Sequence, residues 1–265
     1  MEEMANTEDN INRITTVENY FGGSGKTLAK DGRILVGEGI LKKECRKEAK
    51  LRVFFLFNDV LVYGSILIMK KKYINQHIIP LIGLTMESLP DLEKTQNRWL
   101  IKSQMKSFVV SASSLTEKEK WMSHIEHCAK LVELKSGRLS AVEHAAAWIP
   151  DKVTDICMRC TKTKFSFTQR RHHCRKCGFV VCGKCCNQKF LIPTIADEPQ
   201  KVCLLCYKLL LSKERKKLEE QRKSVERPFS FVSDLESSSS DDDHVVSNDD
   251  TYDWLQTSFW LSFHN

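Results

Sequence analysis

Cysteine residues are concentrated in the stretch Cys157–Cys206, where they form four Cys-x-x-Cys pairs. In chain order, the pairs are Cys157/Cys160, Cys174/Cys177, Cys182/Cys185 and Cys203/Cys206. Each pair offers two thiolates to a tetrahedral zinc ion, so eight thiolates complete two four-coordinate sites. Four pairs in one segment are a far stronger signal than one pair. The sequence therefore predicts two structural zinc ions, because a catalytic zinc keeps one position open.

Disulfides and redox pairs are the alternatives for these cysteines. The first ten residues are acidic and polar and contain no apolar signal core, so we expect the chain in the reducing cytosol. Thiols there stay available for metal. Cys186 directly follows Cys185, and Cys185 is the preferred ligand because it keeps the two-residue spacer. Cys45, Cys128 and Cys186 are then predicted to be ordinary reduced thiols.

Cationic and protonatable side chains crowd into Arg170–Arg175, which reads RRHHCR. A solvated basic face is the ordinary interpretation of such a run. Zinc ligation at Cys174 would hold this backbone in a defined shape, however, and arginine binds phosphate oxygens through two parallel hydrogen bonds. The run therefore favours a phosphate-bearing ligand.

Three motifs around the cysteines resemble those of FYVE zinc fingers. Trp148–Asp151 matches WxxD, Arg170–Gly178 matches RRHHCRxCG, and Lys201–Cys203 matches RVC with lysine in place of arginine. The resemblance covers about residues 144–210. It implies a cross-braced module, with the first and third cysteine pairs on one zinc and the second and fourth pairs on the other.

The same resemblance implies binding of phosphatidylinositol 3-phosphate. Asp151 would accept hydrogen bonds from inositol hydroxyls, and Lys201 would act as a point charge without the bidentate fork of arginine. The residues that would hold the phosphates are Arg170, Arg171, His172, His173 and Arg175. In FYVE fingers the preceding loop enters the bilayer. Here we expect Phe165 to be core, and Phe167, with Thr168, to insert.

Residues 34–134 read as short strands followed by one helix. The predicted strands are Ile34–Leu41, Val53–Phe57, Val60–Tyr63, Ile78–Leu81, Trp99–Ile101 and Ser107–Ser111. Thr116–Leu134 is predicted to be an amphipathic helix, with Thr116 as N-cap and Glu119 as its capping-box partner. Six or seven strands closed by a helix with a central tryptophan, Trp121, resemble a pleckstrin homology (PH) domain.

Basic residues around the first two strands form the lipid pocket of PH domains that bind phosphoinositides. Lys43, Lys50 and Arg52 resemble the lysine and the Lys-x-Arg of such pockets, and Lys70–Lys72 would form a neighbouring rim. Many PH domains bind no lipid specifically, so a role in solubility is the alternative. A second weak lipid site would raise avidity if both sites reach one membrane.

The order of a PH domain and a FYVE finger resembles the phafin family, over about residues 10–210. The expected fold is α+β: a seven-stranded PH barrel or sandwich capped by a C-terminal helix, then the small two-zinc finger. The family resemblance implies a non-enzymatic cytoplasmic adaptor on early endosome and lysosome membranes, active in membrane traffic, autophagy or apoptosis. Its partners would be membranes containing phosphatidylinositol 3-phosphate and unidentified trafficking proteins.

The remaining segments are interpreted from composition. The predicted boundaries are 1–33 for an N-terminal extension, 34–134 for the PH domain, 135–147 for a linker, 148–208 for the finger, 209–227 for a charged helix and 228–265 for a disordered acidic tail. Within the extension, Asn10–Tyr20 is predicted to be a short helix. Gly22–Thr27 reads GGSGKT, but a P-loop needs glycine where Tyr20 stands and a preceding strand, so we predict a flexible linker.

Charge is unevenly distributed along the chain. Residues 148–206 carry a net +7 and residues 34–134 a net +5, whereas residues 228–265 carry −8. Basic domains indicate a polyanionic partner. The acidic tail is either simply solvated, as most acidic runs are, or competes with phosphoinositide for the PH pocket. The aromatic segment Trp254–Phe263 extends past the acidic end expected of phafins and has no assigned role. No apolar run has the length of a membrane span.

Three other classes of zinc protein compete with this interpretation. RING-type ubiquitin ligases also cross-brace two zinc ions, but they normally place a histidine among seven cysteines and do not need RRHHCR. A nucleic-acid-binding protein would show salt-dependent affinity without regard to inositol stereochemistry, and we do not expect one. A metalloenzyme is disfavoured because no open zinc position is evident.

Overall fold

The PH domain is a seven-stranded antiparallel sheet closed by a helix. The computed structural model describes residues 5–69, 71–137 and 144–225. The strands are β1 (Leu35–Lys43), β2 (Lys50–Phe57), β3 (Val60–Ile68), β4 (Lys72–Pro80), β5 (Thr85–Ser88), β6 (Arg98–Lys102) and β7 (Phe108–Ser111). Their order in the sheet is β4-β3-β2-β1-β7-β6-β5. The predicted PH fold is thus confirmed, with β5 as a strand that the sequence analysis did not identify.

Strand β2 is buried on both faces, which explains its continuous apolar sequence. Phe54 and Leu56 point into a core that includes Trp99 and Trp121. The intervening Phe55 belongs to a second core on the opposite face of the sheet. Alternation along one strand therefore serves two layers of packing.

An N-terminal helix supplies the cover for that second face. Helix α1 (Glu8–Phe21) buries Ile14, Val17 and Phe21 against the sheet. The predicted helix Asn10–Tyr20 is confirmed and is slightly longer than expected. The predicted flexible linker over Gly22–Thr27 is wrong. Residues 22–24 form a 3-10 turn, and the side chain of Gln76 on β4 bonds both backbone polar groups of Lys26.

The C-terminal helix of the PH domain, α2 (Leu115–Ser136), places Trp121 in the first core. Trp121 is fully buried and meets Phe54 edge-on, at 6.3 Å between ring centroids. The indole ring contacts Gly39 of β1, where an added Cβ would come within 2.8 Å of the ring. Glycine at this position therefore lets the tryptophan approach the strand closely.

The predicted cap of α2 is two residues out of place. The N-cap is Ser114 rather than Thr116, since the Ser114 side chain accepts a hydrogen bond of 3.1 Å from the Glu117 amide. The Glu117 carboxylate accepts in return from the amide of Ser113 at 2.8 Å. Glu117, not Glu119, is the capping carboxylate, because it stands three residues after the extended Ser114.

The finger contains very little regular structure. Two hairpins, β8 (His172–His173) with β9 (Val180–Val181) and β10 (Gln188–Phe190) with β11 (Gln200–Val202), precede helix α3 (Leu204–Val225). Each hairpin contributes to a small core in which cysteines pack with other apolar side chains. The charged helix predicted from residue 209 is confirmed within the described residues, but it begins at Leu204.

The segment before the finger binds to the PH domain. The amide of Ala145 donates to the Ser103 carbonyl at 2.9 Å, and the His144 ring nitrogen Nε2 donates to the Gly83 carbonyl at 2.8 Å. The Asp151 amide donates to the carbonyl of Arg46, in the loop between β1 and β2, at 2.9 Å. The two domains are therefore in direct contact. No helix among the described residues is both long and apolar enough to cross a bilayer.

Candidate zinc centres and basic cleft

Two groups of four cysteines gather their sulfur atoms in the finger. Within each group, all Sγ atoms lie within 4.8 Å of one another. The first group is Cys157, Cys160, Cys182 and Cys185, and the second is Cys174, Cys177, Cys203 and Cys206. The first and third pairs of the sequence thus meet, as do the second and fourth, which is the cross-braced arrangement that the FYVE resemblance implies.

The donor chemistry of both groups fits zinc. All eight residues carry free thiols, as do Cys45, Cys128 and Cys186. The amide of Cys182 donates to Cys157 Sγ and that of Cys203 to Cys174 Sγ, each at 3.2 Å, and such bonds favour the thiolate that zinc requires. Cys186 belongs to neither group, and burial raises the pKa of its thiol to about 11. Zinc bound here would brace the loops that carry the basic motif.

Arg159 connects the two zinc centres, a role that sequence reasoning missed. It lies between Cys157 and Cys160 of the first group, yet its guanidinium donates to Cys203 Sγ at 3.2 Å and Cys177 Sγ at 3.4 Å of the second. Burial opposes its charge, but these bonds outweigh burial and raise the pKa of Arg159. A four-thiolate zinc site carries net negative charge, so a cation bonded to its sulfurs stabilises it. The position of an arginine inside a Cys-x-x-Cys spacer was the sequence feature that could have indicated this contact with cysteine sulfurs.

A cleft of about 240 Å³ lies against the second hairpin, and we call it the basic cleft. Its cationic and imidazole lining residues are Arg46, Arg171, His172, His173, Arg175 and Lys201. Trp148 also lines it, and no carboxylate among the described residues does. Five of the phosphate-site residues expected from sequence are therefore brought together. Arg170 is exposed and stands outside the lining.

Two buried polar atoms next to the basic cleft have no hydrogen-bond partner among the described residues. They are Nε of Arg171 and Oδ1 of Asp151. Other atoms of the Arg171 guanidinium do have partners. Its Nη2 donates to Asp155 Oδ1 at 3.1 Å, and the guanidinium carbon lies 4.8 Å from the Phe165 ring centroid. Asp151 Oδ1 also lies 3.5 Å from His173 Nε2, so its charge has a neighbour. Buried polar groups are normally hydrogen-bonded, so Nε of Arg171 marks a place where a polar ligand or water belongs.

Trp148 and its neighbours form the wall of the basic cleft on the linker side. The ring of His173 stacks on Trp148 at 4.9 Å between centroids, and its Nε2 donates to the Ile149 carbonyl at 2.8 Å. The guanidinium of Arg175 lies 3.9 Å from the centroid of the same indole ring. Burial lowers the pKa of His173. His173 therefore positions Trp148, and its direct contact with phosphate stays a prediction.

Gly178 explains why the basic motif ends in glycine. Its φ is +74°, and an added Cβ would lie 2.1 Å from the Ala147 carbonyl oxygen. Its own carbonyl accepts from the Ile149 amide at 3.1 Å. Only glycine lets the WxxD segment approach the basic motif this closely.

The two phenylalanines before the basic motif have opposite environments. Phe165 is 7% exposed and belongs to the core of the first cysteine group. Phe167 is 91% exposed at the tip of a turn in which the Ser166 amide donates to the Gln169 carbonyl. Thr168 is exposed beside it. A large apolar side chain held in water at a loop tip is suited to membrane contact.

The residues expected to bind lipid in the PH domain differ in burial and in ion pairing. Lys43 is 6% exposed, and its ammonium group lies 4.4 Å from the Phe108 ring centroid. Lys50 pairs with Glu48 at 3.4 Å, and Arg52 is partly exposed. Lys106, which sequence reasoning missed, is part of this group because it repels Lys43 and its ammonium lies 5.8 Å from the Tyr63 ring. Of the predicted rim, Lys71 and Lys72 are exposed, and Lys70 lies outside the described residues.

A second cleft, of about 210 Å³, lies between the two domains, and Lys43 and Lys106 are among its lining residues. Its lining includes Lys43, Arg46, Lys106, Phe108 and Trp148. Burial, with added repulsion from Lys106, lowers the pKa of Lys43 to about 8. Lys43 and Lys106 therefore line a cleft whose opposite side includes Trp148 of the finger, whereas Lys50 and Arg52 do not line it.

Comparisons with known proteins agree with this architecture. The family model of the PH domain matches residues 35–130, and that of the FYVE zinc finger matches residues 147–212. The chain is thus a PH protein with a two-zinc FYVE finger. It is 57% identical to "Pleckstrin homology domain-containing family F member 1" of Rattus norvegicus, over 84% of this chain and 80% of that one. The chain belongs to this family, the phafins.

Two further similarities define the extent of the match. The Homo sapiens member 1 is 49% identical over 280 residues, and the match covers 100% of both chains. That match extends over the C-terminal part of the chain, including Trp254–Phe263, whose role stays unassigned. The solution structure of the LM5-1 FYVE domain of Leishmania major is 38% identical, with a TM-score of 0.24, over 29% of this chain and 94% of that one.

Proposed function

We propose that this protein is a non-enzymatic peripheral membrane adaptor whose FYVE finger binds phosphatidylinositol 3-phosphate. The observation that carries the proposal is the basic cleft, which is lined by Arg171, Arg175 and Lys201 and, among the described residues, by no carboxylate. Such a cleft favours a multiply charged anion. The family's FYVE and PH domains indicate a phosphoinositide as that anion.

In this proposal the cationic residues bind the phosphate, and Asp151 recognises the hydroxyl groups of the inositol ring. Arg171 and Arg175 supply planar donors that suit phosphate oxygens, and Lys201 adds a point charge. Arg171 keeps an Nε without a hydrogen bond, and Asp151, whose Oδ1 lies 3.5 Å from His173 Nε2, accepts hydrogen bonds from inositol hydroxyls. A carboxylate beside a cationic cleft rejects bare anions and favours a ring that carries both phosphate and hydroxyl groups. Arg170 and His172 extend the positive surface around the cleft.

Membrane attachment adds a second contribution to headgroup binding. Phe167, with Thr168, enters the bilayer beside the headgroup while Phe165 remains in the core. The PH domain contributes a weaker site through Lys43, Lys50 and Arg52, which raises avidity when both domains reach one membrane. We assign the protein to early endosome and lysosome membranes, where it recruits trafficking proteins in membrane traffic, autophagy or apoptosis signalling.

Vesicle flotation of the full chain across a series of phosphoinositides tests this function. Arg171→Ala removes a charge-assisted contact and is expected to weaken binding to phosphatidylinositol 3-phosphate by about 10- to 100-fold. Arg215→Ala is the matched control, because Arg215 is exposed on α3 outside the cleft. Zinc content of two ions per chain in each variant shows that the finger remains folded.

Selective flotation with the 3-phosphate lipid that Arg171→Ala weakens to this extent and Arg215→Ala retains would support the proposal. Equal flotation on every anionic lipid would overturn it. Salt-dependent binding to RNA or DNA, with no preference among phosphoinositides, would favour the nucleic-acid alternative instead.

A further inference from the structure

The basic cleft includes a residue from the other domain. Arg46 stands in the loop between β1 and β2 of the PH domain, yet it lines the cleft together with Arg171, Arg175 and Lys201 of the finger. About one hundred residues separate it from the other lining residues, so no local motif indicates this placement. The cleft is thus formed by both domains.

The backbone of Arg46 is anchored to the finger. Its carbonyl accepts a hydrogen bond of 2.9 Å from the amide of Asp151, the last residue of the WxxD motif. Its guanidinium lies 5.7 Å from the centroid of the Trp148 ring, the same indole on which Arg175 rests at 3.9 Å. Two guanidinium groups therefore share one aromatic wall of the cleft.

The charge of Arg46 is unbalanced, unlike that of its neighbours. Glu44 pairs with Arg98 at 2.8 Å, and Glu48 pairs with Lys50 at 3.4 Å. Neither acid of the loop pairs with Arg46, and no ion pair to it is found within the described residues. Like charges held close together repel, and a bound anion between them relieves the repulsion.

We propose that Arg46 is a headgroup-binding residue, so that the PH domain completes the phosphate site of the finger. This inference rests on the function proposed above and deepens it. The ligand is a phosphomonoester on an inositol ring, either in a lipid or in a soluble inositol phosphate. Because Arg46 and Arg171 lie in different domains, a bound headgroup holds the two domains in one relative orientation.

Titration of the full chain with soluble inositol 1,3-bisphosphate, and separately with vesicles containing phosphatidylinositol 3-phosphate, tests this inference. Arg46→Ala is expected to weaken both affinities about tenfold, the effect of one charge-assisted contact. Lys47→Ala is the matched control, since Lys47 is the next residue, is exposed and does not line the cleft. Arg46→Lys should restore part of the loss. A loss with vesicles alone would show a membrane contact rather than a headgroup contact and would overturn the inference.

Hydrogen exchange on the unmodified chain gives an independent measurement. Adding inositol 1,3-bisphosphate should slow exchange in the peptide that spans Lys43–Lys50. Unchanged exchange there, together with unchanged affinity of Arg46→Ala, overturns the inference. If Arg171→Ala still weakens binding about 10- to 100-fold in that case, the proposed function stands without this inference. If the unmodified chain binds neither probe, both proposals are wrong.

Discussion

The two cationic surfaces of this protein contain similar residues in contrasting environments. In the basic cleft, Arg171 and Arg175 are partly exposed and face a space with no carboxylate from the described residues. In the PH domain, Lys43 is buried beneath Phe108, and Lys50 is paired with Glu48. Accessible basic residues favour an anion site where their charges outnumber the carboxylates that pair with them. In the cleft, Arg171 pairs with Asp155 at 3.1 Å, but Arg46 and Arg175 have no ion pair within the described residues. By this criterion the finger holds the stronger site.

The scaffolds beneath the two surfaces also differ. The PH domain rests on seven strands and on buried aromatic residues that include Phe54, Trp99 and Trp121. The finger has strands of two or three residues, and its two small cores include the zinc-binding cysteines. Burial of apolar surface stabilises the first domain, whereas metal coordination stabilises the second.

Zinc removal should have the largest effect, because it is expected to unfold the finger and leave the PH domain folded. Structural zinc contributes about 10–16 kcal/mol to comparable fingers, so a strong chelator is expected to unfold the finger and abolish headgroup binding. The PH sheet should persist because none of the eight clustered cysteines belongs to it. Amide NMR spectra recorded before and after chelation measure both effects. Restoration of the finger signals by added zinc is the control, and simultaneous collapse of the PH signals would contradict the contrast between the domains.

Substitution of the exposed phenylalanine should have an intermediate effect. Phe167→Ala removes an inserted apolar side chain worth about 2 kcal/mol, so vesicle affinity is expected to fall about 30-fold. Affinity for soluble inositol 1,3-bisphosphate should not change, since Phe167 does not line the basic cleft. Titration with vesicles and with the soluble headgroup distinguishes these effects. An equal loss with both probes would mean that Phe167 shapes the headgroup site rather than entering the bilayer.

A rise of pH from about 7 to about 9 should act mainly on the PH surface. With the pKa of Lys43 near 8, its charged fraction falls about tenfold between pH 7 and pH 9. Arginines keep their charge over that range, so binding by the basic cleft should stay constant. The residual vesicle binding of Arg171→Ala should therefore weaken by up to about tenfold as pH rises through 8.

The control for this experiment is the same comparison in a chain that also carries Lys43→Met. The pH dependence should disappear there, and its persistence would exclude Lys43 as the cause. Folding stability should change in the opposite direction. An unfolded lysine keeps its proton up to a pH of about 10.5, so the free energy of unfolding should rise as Lys43 loses its proton in the folded state.

Local sequence patterns were sufficient for much of the fold. Trp121 could be placed from helical spacing, and most of the strands could be placed from short apolar runs. The N-cap of α2 was misplaced because Ser114 and Thr116 are both good caps, and backbone geometry alone separates them. Strand β5, Thr85–Ser88, has no apolar signal and exists because it pairs with β6. Long-range pairing of this kind is not encoded in local periodicity.

Sequence alone was enough to identify the eight clustered cysteines, the basic motif and Phe167 as the candidate for membrane insertion. These features depend on residue type and on spacing of a few residues, which are local properties. Only the tertiary structure decided that Arg159 bonds to the second zinc centre, that Lys43 is buried, and that Arg46 lines the cleft of the other domain. These depend on which distant segments pack together. Packing sets the burial and the neighbours of a charge, and therefore whether it can bind an anion.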